Sequence, residues 1–157
     1  VKLMTKTYPK WADLPQLDLY LDQVLLYVNQ VNQPLATPGD KGLTASMINN
    51  YVKHGLLEKP VKKKYSRKQL ARLIAITTFK PVFSIQEISQ ILEWLTANNQ
   101  SQACYDAFVA CMNEEQGQEI PELITSACQT LKLYHYTHKL AQNLQGGHHE
   151  HRNSKAQ

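Results

Sequence analysis

The chain has 157 residues, 43% hydrophobic and 19% charged, and a formal net charge of +4 at pH 7. That length holds one domain, or a small module with a helical extension, around a real apolar core, and the composition excludes low-complexity and membrane-protein classes. The longest mostly apolar stretches, such as "LARLIAITTF", are about half of a bilayer span, and no secretory leader pattern opens the sequence, so a cytoplasmic location is expected.

Residues 1–17 contain Pro9 and Pro15 without sustained periodicity and read as an extended arm, pinned to the body by Trp11. Asp18 precedes Leu21, Val24, Leu25, Val28 and Val31, whose spacing predicts an amphipathic helix ending near Pro34. After the loop "PLATPGDKG", Thr44 caps a short helix through Met47, Ile48 and Tyr51 that stops at Gly55, a residue able to take the left-handed conformation. "LLEKPVKKKY" then reads as a short exposed loop or β-ribbon, because Pro60 restricts the backbone and three consecutive lysines repel one another.

Ser66 opens a third helix with Leu70, Leu73, Ile74 and Thr77 or Phe79 facing the core, stopping at Pro81. "SIQE" at residues 84–87 is a capping box ahead of Ile88, Ile91, Leu92 and Leu95. A fifth helix carries Cys104, Ala107, Phe108, Cys111 and Met112; a sixth opens at Pro121 with Ile124, Ala127, Cys128, Leu131, Tyr134 and His138 on one side. From Gly146 the tail has no apolar face to bury, and disorder is expected only at the chain ends. The expectation is six helices and at most a small ribbon.

The charge is unevenly placed. Residues 53–72 hold eight of the seventeen Lys and Arg residues and a single acid, Glu58, so the rest of the chain sums to −3. Such a patch is a candidate footprint for a polyanion, and a solvated basic helix face gives the same count. The three cysteines are odd in number and sit in helical patterns, which suits reduced core thiols; Cys104 and Cys111, seven apart, are too distant to bridge. "HHEH" at 148–151 could hold a metal but sits on a tail without a scaffold, and His135 and His138 suit packing or an interface. No nucleophile with a base and orienting group, no phosphate-cradling glycine loop and no metal-ligand pair on one helix face is present, so neither an enzyme nor a cofactor is expected.

A capped helix ending in Gly, a basic loop and a second capped helix bearing Arg67, Lys68 and Arg72 make a helix-turn-helix with a wing. "TASMINNYVKHGLL", "KYSRKQLARLIAI" and "FSIQEISQIL" resemble the MerR family through Tyr51, Gly55 and Leu56, then Tyr65, Ser66, Leu70 and Leu73, then Phe83, Ser84, Glu87, Ile88 and Leu92. Asn49 and Asn50 stand where that family usually has an Arg-Tyr pair, and only "EKPVKKK" fits where it has a longer wing. "LDLYLDQVLLYVNQ", "LTASMINNYVKHGLL" and "VKKKYSRKQLARLI", in that order, resemble a bacterial family catalogued as domain of unknown function 1836.

The resemblances imply a MerR-like winged helix-turn-helix at 18–97, and with the arm at 1–17, the C-terminal helices at 101–145 and the polar tail at 146–157 read from spacing and composition, the chain is expected to be all-α. The basic patch in that helix-turn-helix makes a DNA-binding protein, a transcriptional regulator acting on duplex DNA, the leading expectation. Lys62, Lys63, Lys64, Arg67, Lys68 and Arg72 would hold phosphates, while Asn49, Asn50, Lys53 and His54 would face the groove. A homodimer is natural, because one short helix reads few base pairs. Two other readings stand beside it: a protein-interaction module that keeps the fold without reading DNA, and ligand or metal sensing by the C-terminal helices.

Overall fold

A computed structural model describes residues 7–36 and 39–154, with side chains as far as residue 147. Among them lie six α-helices: α1 (Leu21–Asn32), α2 (Ala45–Lys53), α3 (Arg67–Phe79), α4 (Ile85–Thr96), α5 (Ser101–Met112) and α6 (Glu122–Ser154). Two short strands, β1 (Leu19–Tyr20) and β2 (Lys64–Tyr65), pair antiparallel with Leu19 opposite Tyr65 and Tyr20 opposite Lys64. The chain is mainly helical with one small ribbon, as its periodicity implies. The disorder expected at the chain ends falls on residues 1–6 and 155–157, outside the described residues.

Local chemistry sets the helix starts. Thr44 Oγ1 accepts from Met47 N–H at the head of α2. Ser66 and Ser84 each make reciprocal capping boxes, with Gln69 and Glu87 respectively, so two otherwise orphaned N–H groups are satisfied at each end. At the tail of α2, Gly55 takes φ +74°, and the N–H groups of Leu56 and Leu57 both turn back to the Tyr51 carbonyl. The chain leaves the helix sharply there, with both leucines buried.

α3 is the hub. It packs on α1 and α5, and seven of its residues are buried, among them Ile76 and Thr78 as well as the expected Leu70, Leu73 and Ile74. A helix covered on several sides cannot show a clean one-face pattern. Val24 and Val28 of α1, Ile48 and Tyr51 of α2, Ile88 of α4 and Phe108 of α5 close the same core, which Ile124, Cys128 and Leu131 of α6 extend.

The N-terminal arm is held more firmly than Trp11 alone would hold it. Tyr8 and Leu14 are its buried anchors. Tyr8 N–H donates to Asn113 Oδ1 at 2.7 Å, Trp11 N–H to Asp106 Oδ1 at 2.8 Å, and the Tyr105 hydroxyl to the Pro9 carbonyl at 2.8 Å. The Tyr8 hydroxyl meets Thr78 and Asn32 in the core, and burial pushes its pKa up to about 12 against the pull of those two hydrogen bonds. The arm is thus sewn to α5 and α3.

α6 departs from expectation at its far end. It runs through Gly146 and Gly147 to Ser154, where the sequence pattern suggests a plain polar tail. Helical hydrogen bonding needs no apolar face, so the end of the periodicity marks the end of packing and not the end of the helix. The metal reading of His148, His149, Glu150 and His151 concerns side chains outside the described set. No helix among the described residues is long and apolar enough to cross a membrane.

Candidate nucleic-acid interface

The basic loop between α2 and α3 is a two-residue turn. Val61 and Lys64 exchange both backbone hydrogen bonds at 3.0 Å, and the residues between them, Lys62 and Lys63, have φ of 50° and 65°. Two consecutive left-handed residues define the turn type whose twist suits a hairpin, and asparagine-glycine is its usual occupant. Lysine there costs on the order of 1 kcal/mol per residue in backbone strain. The result is a tight tip with both lysine side chains in solvent.

Behind the tip the loop is clamped from α3. Gln69, a buried polar residue, donates from Nε2 to the carbonyls of Glu58 at 2.8 Å and Lys59 at 3.1 Å while its Oε1 accepts from Ser66 N–H at 2.7 Å. Lys64 lies in β2 with its ammonium 5.1 Å from the centroid of the Tyr20 ring, a cation–π contact across the ribbon. Turn, ribbon and clamp leave the tip little freedom.

Of the six residues expected on phosphates, Lys62, Lys63 and Lys68 are exposed, while Lys64 and Arg67 are half-buried. Lys68 pairs with Glu58 at 3.9 Å, a contact worth little between two such open side chains. Arg72 is different. Its Nε donates to the Leu56 carbonyl at 2.6 Å, tying the exit of α2 to α3, and burial lowers its pKa despite Glu58 and Glu93.

The residues expected in a groove share one solvent face. Asn49, Asn50, Lys53 and His54 are all exposed, and with Ser46 they line the side of α2 opposite buried Ile48 and Tyr51. Tyr51 is core, with its hydroxyl buried and unpartnered among the described residues. The α2 exit, the lysine tip and the start of α3 are joined through the Leu56, Glu58 and Lys59 carbonyls.

Elsewhere, Cys128 is fully buried and its thiol is pushed well up by burial and then by neighbouring Cys111, which suits packing more than reactivity. Cys104 donates to the Leu95 carbonyl at 2.8 Å, and burial raises its pKa too. His135 is half-buried, lowered by burial and then by His138. Sequence reasoning overlooked Gln69 and Tyr20. Ser66-x-x-Gln69 carries the capping signal that could have flagged the first; the second depends on a strand pairing that only the fold reveals.

Residues 9–108 match a family model described as "Domain of unknown function (DUF1836)". No curated protein and no solved structure matches the chain.

Proposed function

We propose that this chain, which belongs to the DUF1836 family, is a duplex-DNA-binding protein and a transcriptional regulator built on a MerR-like winged helix-turn-helix. The observation that carries the reading is the rigid turn at Lys62 and Lys63. A left-handed turn made of lysines rather than asparagine and glycine gives up backbone stability, and the return is two cations fixed at a tip. Lys64, Arg67 and Lys68 extend the positive surface onto β2 and α3, and Asn49, Asn50, Lys53 and His54 present hydrogen-bonding groups of the kind that read base edges. Arg72, expected on phosphates, also donates from Nε to the Leu56 carbonyl and so joins α2 to α3. The cell compartment for this activity is the cytoplasm.

Dimerisation is part of the proposal. Leu133, Leu140 and Leu144 are exposed on α6. At about 100° per residue they lie roughly opposite Ile124, Cys128 and Leu131, the face the body uses. With Thr137 the spacing is four, three, four, which reads the same in either direction. Two copies laid antiparallel would pair Leu133 with Leu144 and Thr137 with Leu140, burying a stripe that otherwise faces water.

The short turn favours one other reading, a module that docks on an acidic protein. Electrophoretic mobility shift with duplex DNA at low salt separates the two. Retardation that Lys62→Glu/Lys63→Glu abolishes in a folded protein supports DNA; no retardation favours the acidic partner.

A further inference from the structure

Between the end of α1, the loop at 40–42, the end of α3 and the middle of α6 lies a cleft of about 340 Å³. Small-molecule sites typically span about 300–1,000 Å³. Its rim is fixed, because the Asn29 side-chain amide exchanges hydrogen bonds of 3.0 and 2.8 Å with the Leu43 carbonyl and N–H, and Gly42 at φ +66° sits where any side chain would strike Asn29. Four buried side-chain polar atoms lack a hydrogen-bond partner among the described residues, and three of them, Asn32 Oδ1, Thr77 Oγ1 and His135 Nε2, belong to side chains that line this cleft. Buried polar groups are ordinarily hydrogen-bonded, so three exceptions on one wall, contributed by three helices, point to a ligand.

The lining selects among ligand classes. Thr78 gives its hydroxyl proton to the Ile74 carbonyl and can only accept from Asn32 Nδ2, which fixes the amide and leaves Asn32 Oδ1 a pure acceptor. A carboxylate has no proton to offer it. A cation gains Asp40 but meets Lys41, and burial disfavours the charged form of His135, so the lining is neutral in sum. Among the described residues no Phe, Tyr or Trp ring lines the cleft to stack on a flat aromatic guest, while Leu26, Leu35 and Pro81 supply an apolar patch. Hydroxyl groups donate and accept at the same atom and suit this mixture. We infer that the cleft binds a small uncharged cyclic polyol, a monosaccharide or a cyclitol, with hydroxyls on Asn32, Thr77 and His135 and ring C–H groups against the apolar patch. The three polar atoms are shut off from solvent, so binding involves small rotations, of Thr77 about χ1 and His135 about χ2, that open them to the guest.

The cleft shares no residue with the basic tip, and its test uses no DNA, so this inference and the DNA reading fail separately. Saturation-transfer difference NMR on the full chain follows titrations with D-glucose, D-ribose and myo-inositol, and with acetate and putrescine as charged probes. Saturable transfer to at least one polyol is expected, with Kd on the order of 1 mM or below, and none to the charged probes. Thr77→Val/His135→Leu removes two polar atoms that hold no partner in the fold, so the chain should keep its Tm and bind about tenfold more weakly. Should that variant fold poorly, Gln30→Trp fills the mouth from an exposed position on α1 and should abolish binding. Absence of saturable polyol binding, which would leave the cleft to water alone, equal transfer to acetate or putrescine, or undiminished affinity in the folded variants would overturn the inference.

Discussion

Lys62→Asn/Lys63→Gly separates the two roles of the turn, because it supplies the residues the left-handed backbone prefers while removing two charges from the tip. Each lysine at φ of 50° or 65° carries a cost on the order of 1 kcal/mol, part of which asparagine recovers and most of which glycine recovers. Flexible glycine in the unfolded chain returns some of that gain, leaving a net stabilisation of about 1 kcal/mol. For a chain of this size that raises Tm by roughly 2–4 °C. DNA binding should move the other way, with the dependence of log K on log salt flattening by about 1.8 for two lost phosphate contacts. Differential scanning calorimetry and fluorescence anisotropy on one preparation read both quantities. A variant with lowered Tm would mean that the turn is not left-handed in solution, and an unchanged salt slope in a stabilised variant would remove the lysines from the interface.

Gln69→Leu leaves the Glu58 and Lys59 carbonyls without their donor and opens the Ser66 cap, so urea unfolding should register a loss of about 2–3 kcal/mol; a loss under 1 kcal/mol would remove the clamp from the account. His135 has its pKa lowered in the folded chain, first by burial and then by His138, so the unfolded chain binds the proton more readily. The stability this represents is present above the unfolded value of 6.5 and is lost as pH falls below it. Tm should therefore drop between about pH 7.5 and about pH 5.5, and by less in His135→Gln, with an equal drop in both ruling His135 out as the cause. Leu140→Glu puts a charge in the middle of the α6 stripe, so on the proposed pairing sedimentation should report a dimer for the wild type and a monomer for the variant; a monomeric wild type would refute the pairing, and an undisturbed dimer would move the interface elsewhere.

Much of the helical frame could be read from residue spacing. Thr44, Ser66 and Ser84 announce helix starts through local hydrogen bonds, and Gly55 announces an end, because capping acts within four residues and needs no tertiary context. What escaped depended on long-range partners. Tyr8 looks like any aromatic in a proline-broken arm, and its role rests on Asn113, far along the chain. β1 is two residues long and has no signature until β2 lies beside it. Within the candidate site the exposed lysines and asparagines were legible from charge and helical phase. The contact of Arg72 with Leu56 was not, since nothing local separates a guanidinium turned toward a carbonyl from one turned to water.

The most direct measurement is fluorescence anisotropy with random-sequence duplex DNA across a salt series, comparing wild type with Lys62→Glu/Lys63→Glu/Lys64→Glu after circular dichroism has established that both are folded. With Lys62, Lys63, Lys64, Arg67 and Lys68 each neutralising one phosphate, as proposed, the slope of log K against log salt is expected at about −4 to −5 per chain, flattened by nearly three in the triple variant. Wild type that fails to bind at low salt, or binds with the same slope as the variant, would contradict the account.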